Sequence, residues 1–103
     1  MLTKEQFHQR IADGIHILDG ATGSNLRKLD MPNAACTEEW VLAHPEMLIT
    51  LQRRYAEAGS QILYAPTFQA QPIALARVGL DRQTEAVNAH LAALTRSVSS
   101  DIL

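Results

Sequence analysis

The sequence predicts an α/β fold. Two short apolar runs, residues 15–18 and 61–65, are rich in β-branched or large apolar side chains, and each ends in a chain-turning signal, Asp19-Gly20 and Pro66. Segments with helical apolar spacing precede, separate and follow them. The resulting order is helix, strand, helix, strand, helix. Strands alternating with helices imply parallel pairing through right-handed crossovers.

Thr3 opens the first helix. With Gln6 three residues on it has the form of a capping box, and Phe7 and Ile11 give one apolar stripe. Gly14 is its stop. Ile15-His16-Ile17-Leu18 is then expected as a buried strand feeding a loop at Asp19-Gly20. Residues 21–35 hold turn formers and read as loop, with one helical turn around Asn25 to Leu29. Thr37 is placed to cap a short helix through Ala43. His44 ends it, and Pro45 suits the first position of the next helix. That helix runs to Ala58 with Leu48, Leu51, Tyr55 and Ala58 on one face, and Gly59 stops it. Residues 61–65 form the second expected buried strand, which Pro66 ends because proline cannot donate to a central ladder. A short helix follows from Pro72 to Val78, stopped by Gly79. Asp81 is expected to cap a last long helix carrying Ala86, Val87, Leu91, Leu94 and Val98, which weakens at Ser97, Ser99 and Ser100. Ile102-Leu103 resembles the first step of a third strand. Two parallel strands make a poor sheet by themselves, so the pattern reads as the opening of a larger α/β protein.

Composition narrows the function classes. The chain has 103 residues, 47% hydrophobic and 19% charged, with a formal net charge of -2. That is too apolar for a disordered segment, and it lacks the basic excess of a nucleic-acid or anionic-membrane surface. Its apolar runs are too short to span a bilayer, and the polar start Met1-Leu2-Thr3-Lys4-Glu5-Gln6 is not a secretory signal. A cytoplasmic protein is expected. Cys36 is the one cysteine, so this stretch makes neither an internal disulfide nor a multi-cysteine metal site.

In parallel α/β folds, ligands bind beyond the C-terminal ends of the strands. Two segments fall there. The first, Asp19-Gly20-Ala21-Thr22-Gly23-Ser24-Asn25, offers a carboxylate that suits an ammonium, and glycines that free backbone N–H groups for a carboxylate. Together these suit an amino acid, although strand-Asp-Gly is also the pattern of an ordinary turn. The second, Ala65-Pro66-Thr67-Phe68-Gln69-Ala70, offers a hydroxyl, an aromatic ring and an amide; Phe68 equally suits a packing role. His8, His16, His44 and His90 lie on different elements without ligand spacing, and each reads as solvated or packed. Cys36 has no local His or Asp pattern of a nucleophile. The glycine loop is neither a Walker loop, which needs Gly-Lys-Ser/Thr, nor a dinucleotide fingerprint.

Four motifs in register carry a resemblance. Ile17-Leu18-Asp19-Gly20-Ala21-Thr22-Gly23-Ser24-Asn25-Leu26 resembles the opening strand and loop of the homocysteine S-methyltransferases. His44-Pro45-Glu46 with Tyr55-Ala56-Glu57-Ala58-Gly59-Ser60 resembles the helix that follows in that family. Thr67-Phe68-Gln69-Ala70 resembles its second-strand loop, and Val78-Gly79-Leu80 with Asn88 its next segment. The sequence departs from the family at Tyr64-Ala65-Pro66, and Gln69 replaces the usual glycine.

The resemblance implies the N-terminal part of a (β/α)8 TIM barrel, about its first two β/α units. Residues 1–103 would be an incomplete homocysteine-binding barrel domain, with 1–14 an N-terminal helix and 15–103 the two units. It implies methyl transfer to the thiolate of homocysteine, giving methionine, most similar to the cobalamin-dependent methionine synthase type. Asp19 matches the aspartate near the substrate amino group. Gly20, Ala21 and Thr22 match the loop approaching the amino-acid end, and Thr67 and Phe68 match the pocket lining. The resemblance implies zinc in the complete enzyme, on cysteines of later strands that Cys36 does not match, and cobalamin or methylfolate as methyl source. No catalytic residue and no metal ligand is assigned within this chain. The expected partners are homocysteine, a methyl donor, and either further copies or the remainder of a barrel, with no nucleic acid and no membrane. The rival expectation is a non-catalytic small α/β module that binds an amino acid or a partner chain.

Overall fold

The computed structural model describes residues 3–98. Its helices are α1 (Lys4–Ala12), α2 (Gly23–Lys28), α3 (Thr37–Ala43), α4 (Pro45–Ala58), α5 (Pro72–Leu75) and α6 (Thr84–Arg96). Short 3-10 turns, Ala76–Val78 and Asp81–Gln83, join α5 to α6.

The α/β expectation is overturned. No strand occurs among the described residues, 61% of which are helical, so the two β/α units of a barrel are not seen. The runs at 15–18 and 61–65 are neither helix nor strand, and they meet in a single isolated parallel bridge, Leu18 to Ile62. The Asp19 N–H donates to the Ile62 carbonyl at 3.0 Å, and the Ile62 N–H to the Ile17 carbonyl at 3.2 Å. A parallel ladder would continue with evenly spaced backbone bonds on both sides. Side chains take those places. The Ile17 N–H donates to Gln61 Oε1 at 3.1 Å, and the Tyr64 N–H points at the Asp19 carboxylate at 3.4 Å. Side-chain acceptors of this kind compete with sheet ladders, and here they bound the pairing at one bridge. Nor is the first run buried: Ile15 is 92% exposed and Ile17 57%. Of the second run, Leu63 is buried. The expected strand start at Ile102-Leu103 lies outside the described residues.

The helices follow local chemistry closely. In α1 the Thr3 hydroxyl accepts from the Gln6 N–H at 3.1 Å while Gln6 Oε1 accepts from the Thr3 N–H at 2.9 Å, which completes the capping box. No residue of α1 is buried. Pro45 stands in the first turn of α4, where its missing N–H costs nothing. Gly59 ends α4 at φ 116 and Gly79 ends the Ala76–Val78 turn at φ 74, a region that side chains disfavour. Two expected caps differ. Thr37 is already helical, with Cys36 at the cap, and Asp81 begins a 3-10 turn before α6. The turn expected near Asn25 starts earlier, at Gly23.

One core joins α2 to α6. Leu26, Met31, Val41, Leu48, Leu51, Ala70, Leu75, Val87 and Leu91 form its buried cluster. α6 packs on α3 and α4, and α2 and α3 both pack on α4. The stripes expected on α4 and α6 supply Leu48, Leu51, Val87 and Leu91. No described helix is long and apolar enough to cross a membrane.

Candidate functional site

The loop after the first extended run is held from α4. Tyr55 donates its hydroxyl to the Ala21 carbonyl at 2.8 Å. Asn25 Nδ2 donates to the same carbonyl at 2.8 Å and to the Tyr55 hydroxyl oxygen at 3.1 Å. Gly20 passes close by: a Cβ there would lie 3.0 Å from the Tyr55 hydroxyl. The glycine therefore permits the approach of loop and ring.

The second loop is held from two sides. Asn88 of α6 donates to the Ala70 carbonyl at 2.7 Å. Glu38 of α3, 3% exposed, accepts at Oε1 from the Gln69 N–H at 3.1 Å and at Oε2 from the Cys36 thiol at 3.6 Å. Gln52 of α4, also buried, donates to the Tyr64 carbonyl at 3.0 Å.

Between these loops lies an open cavity of about 680 Å³. Thr22, Gly23 and Arg27 form one part of its lining, Thr37 and Glu38 another, and Tyr64, Thr67, Phe68 and Gln69 a third. Of the residues singled out in the sequence, Thr22, Thr67 and Phe68 are brought together here. Phe68 is 93% exposed, so its ring is open to contact rather than buried in the core. Asp19, Gly20 and Ala21 are not part of the lining. Asp19 reaches it only through Tyr64, whose N–H faces the carboxylate. Burial raises the Asp19 carboxyl above its ordinary value, and the Tyr64 N–H opposes that by favouring the charged form.

Arg27 and Glu38 were not legible as site residues. Arg27 follows Gly23 by one helical turn, a faint signal, because residues four apart share a helix side. Glu38 sits in a Thr-Glu-Glu opening that reads as a solvated first turn, and no local pattern marks it as buried.

Two of the histidines take structural places, while His8 and His90 are exposed. His16 Nε2 lies 2.6 Å from the Arg10 carbonyl, and His44 Nδ1 lies 3.0 Å from the Trp40 carbonyl. The His44 ring stacks on Trp40 with centroids 4.4 Å apart. Among the described residues, no group of three or more His, Cys, Asp or Glu side chains is placed to hold a metal ion. The Cys36 thiol has Glu38 as its one hydrogen-bond partner among the described residues, short of the four ligands of a zinc site. These residues do not fit zinc, and no step is assigned to it.

No solved structure matches the chain. The family model described as homocysteine S-methyltransferase matches residues 16–102, a span that takes in both loops and every residue lining the cavity. By that match the chain belongs to the homocysteine S-methyltransferase family.

Proposed function

We propose that the chain serves methyl transfer to the thiolate of homocysteine, giving methionine, in the manner of the methionine synthase type, and that it supplies the amino-acid end of the substrate site. The observation that carries this reading is the meeting of Thr22, Thr67 and Phe68 on one cavity from two separate motif segments. Its volume falls within the range of small-molecule sites, roughly 300–1,000 Å³. The two hydroxyls supply directional polar contacts, and the exposed Phe68 ring supplies apolar surface for a thioether-like chain. The resemblance assigns Asp19 to the ammonium and the backbone of residues 20–23 to the carboxylate; of these, Thr22 and Gly23 line the cavity, and Asp19 stands beside it against the Tyr64 N–H. The methyl group comes from a cobalamin or a methylfolate.

The same reading includes association with further copies. The faces carrying Leu48, Leu51 and Leu91, expected from the sequence to make that contact, are buried in the chain's own core, whereas Ile15 and Ile73 are each more than 80% exposed, apolar surface that water disfavours.

Calorimetric titration of the 103-residue chain with L-homocysteine tests the site. Saturable binding is the expected result, with no methionine formed by these 103 residues alone, because no zinc-ligand group occurs among the described residues. No binding at millimolar homocysteine overturns the reading. Methyl transfer is assayed with methylcobalamin or methylfolate on a chain that also carries the zinc cysteines the resemblance implies; homocysteine binding there without methionine overturns the catalytic half and leaves a non-catalytic amino-acid module.

A further inference from the structure

The cavity carries one positive and one negative side chain among its described lining residues, Arg27 and Glu38. Its lining is therefore electrically balanced but charged in two places. That pattern suits a zwitterion better than a phosphate dianion, which would meet the Glu38 carboxylate. Glu38 uses two of the roughly four acceptor positions of a carboxylate, on Gln69 and Cys36, so acceptor capacity remains. Arg27 is exposed on α2, four residues after Gly23, and both line the cavity. A guanidinium presents a planar fork that matches a carboxylate with two parallel bonds.

We propose that Arg27 is the specificity-determining residue of this cavity, its guanidinium joining the Thr22 and Gly23 backbone at the carboxylate of the amino-acid substrate. The proposal rests on the homocysteine reading above and deepens it. Arg27 selects substrates that keep their α-carboxylate, while Thr22, Thr67 and Phe68 meet the rest of the molecule. Losing a charge-assisted contact of this type weakens binding by roughly ten- to hundredfold.

The test is calorimetric titration of the full chain with L-homocysteine and with 3-aminopropane-1-thiol, its decarboxylated analogue. Wild type, Arg27→Ala, Arg27→Lys and the neighbouring Lys28→Ala are compared, with circular dichroism to verify each fold. Lys28 is exposed on the same helix and does not line the cavity, so it controls for general charge. The expected result is a wild-type preference for homocysteine of roughly ten- to hundredfold. Arg27→Ala brings that preference near parity, Arg27→Lys restores part of it, and Lys28→Ala leaves it intact. Preference retained in Arg27→Ala, or lost equally in Lys28→Ala, overturns the assignment of Arg27 while leaving homocysteine as substrate. A wild-type chain that binds no homocysteine overturns both.

Discussion

Gly20 and Tyr55 form a pair whose energetic coupling follows directly from the geometry. Gly20 is not among the glycines with positive φ, so alanine suits its backbone and the effect of Gly20→Ala is steric. The new Cβ would stand 3.0 Å from the Tyr55 hydroxyl and 3.3 Å from Cε1. Tyr55 must then retreat by a few tenths of an ångström, stretching the 2.8 Å bond to the Ala21 carbonyl. Overpacking of this kind costs about 1–2 kcal/mol. Tyr55→Phe removes the hydroxyl and its bond, but Asn25 still satisfies the Ala21 carbonyl, so the loss is about 0.5–1 kcal/mol. It also removes the closest atom facing the new Cβ, and the nearest contact becomes Cε1. In the Tyr55→Phe background, Gly20→Ala should therefore cost about 0.5–1 kcal/mol less than in wild type. Urea denaturation of the four proteins closes the cycle, and thermal melting gives a second reading at about 4–8 °C per kcal/mol. Stabilities that add to within about 0.3 kcal/mol would refute the claim that the Tyr55 hydroxyl is what excludes a side chain at position 20.

Leu91 is fully buried where α6 meets the core, so Leu91→Ala should lower stability by about 2–5 kcal/mol, read by urea denaturation. A loss below about 1 kcal/mol, well under that range, would show that the core does not close on α6. Gly59→Ala should cost at least about 1 kcal/mol by backbone conformation alone, since φ is 116 and nothing lies within 4 Å of the added Cβ; an unchanged melting point would contradict that φ. For Asp19 the sign follows from its raised pKa. The folded chain holds the proton more tightly than the unfolded chain, so stability falls as pH rises from below 3.8 through the raised folded-state value. Asp19→Asn removes this fall. Denaturation series of both proteins from acid to neutral pH should therefore show wild type losing ground to the variant, and the opposite trend would overturn burial as the dominant influence on the carboxyl.

Helix limits were legible wherever a single residue's backbone chemistry decides them. Pro45 and Gly59 bracket α4, Pro72 and Gly79 bracket α5 with its 3-10 extension, and Thr3 with Gln6 opens α1. The large members of the apolar stripes of α4 and α6, Leu48, Leu51, Val87 and Leu91, were equally legible, because spacing of three and four places side chains on one helix side, whereas Ala58 and Ala86 of the same stripes are exposed. The family was legible too, in four short motifs whose order and gaps are properties of the chain alone. Strand formation was not. Residues 15–18 and 61–65 have the composition of strands, but a strand exists only through a neighbour. Gln61 and Asp19 take the N–H groups that a longer ladder would use. The site divides in the same way. Thr22, Thr67 and Phe68 were marked by their motifs, whereas the burial of Glu38 and the arrival of Arg27 at the same cavity depend on how α2, α3 and the second loop pack. Sequence decides what each backbone can do locally; which charges line one cavity is settled only when segments distant in the chain are brought together.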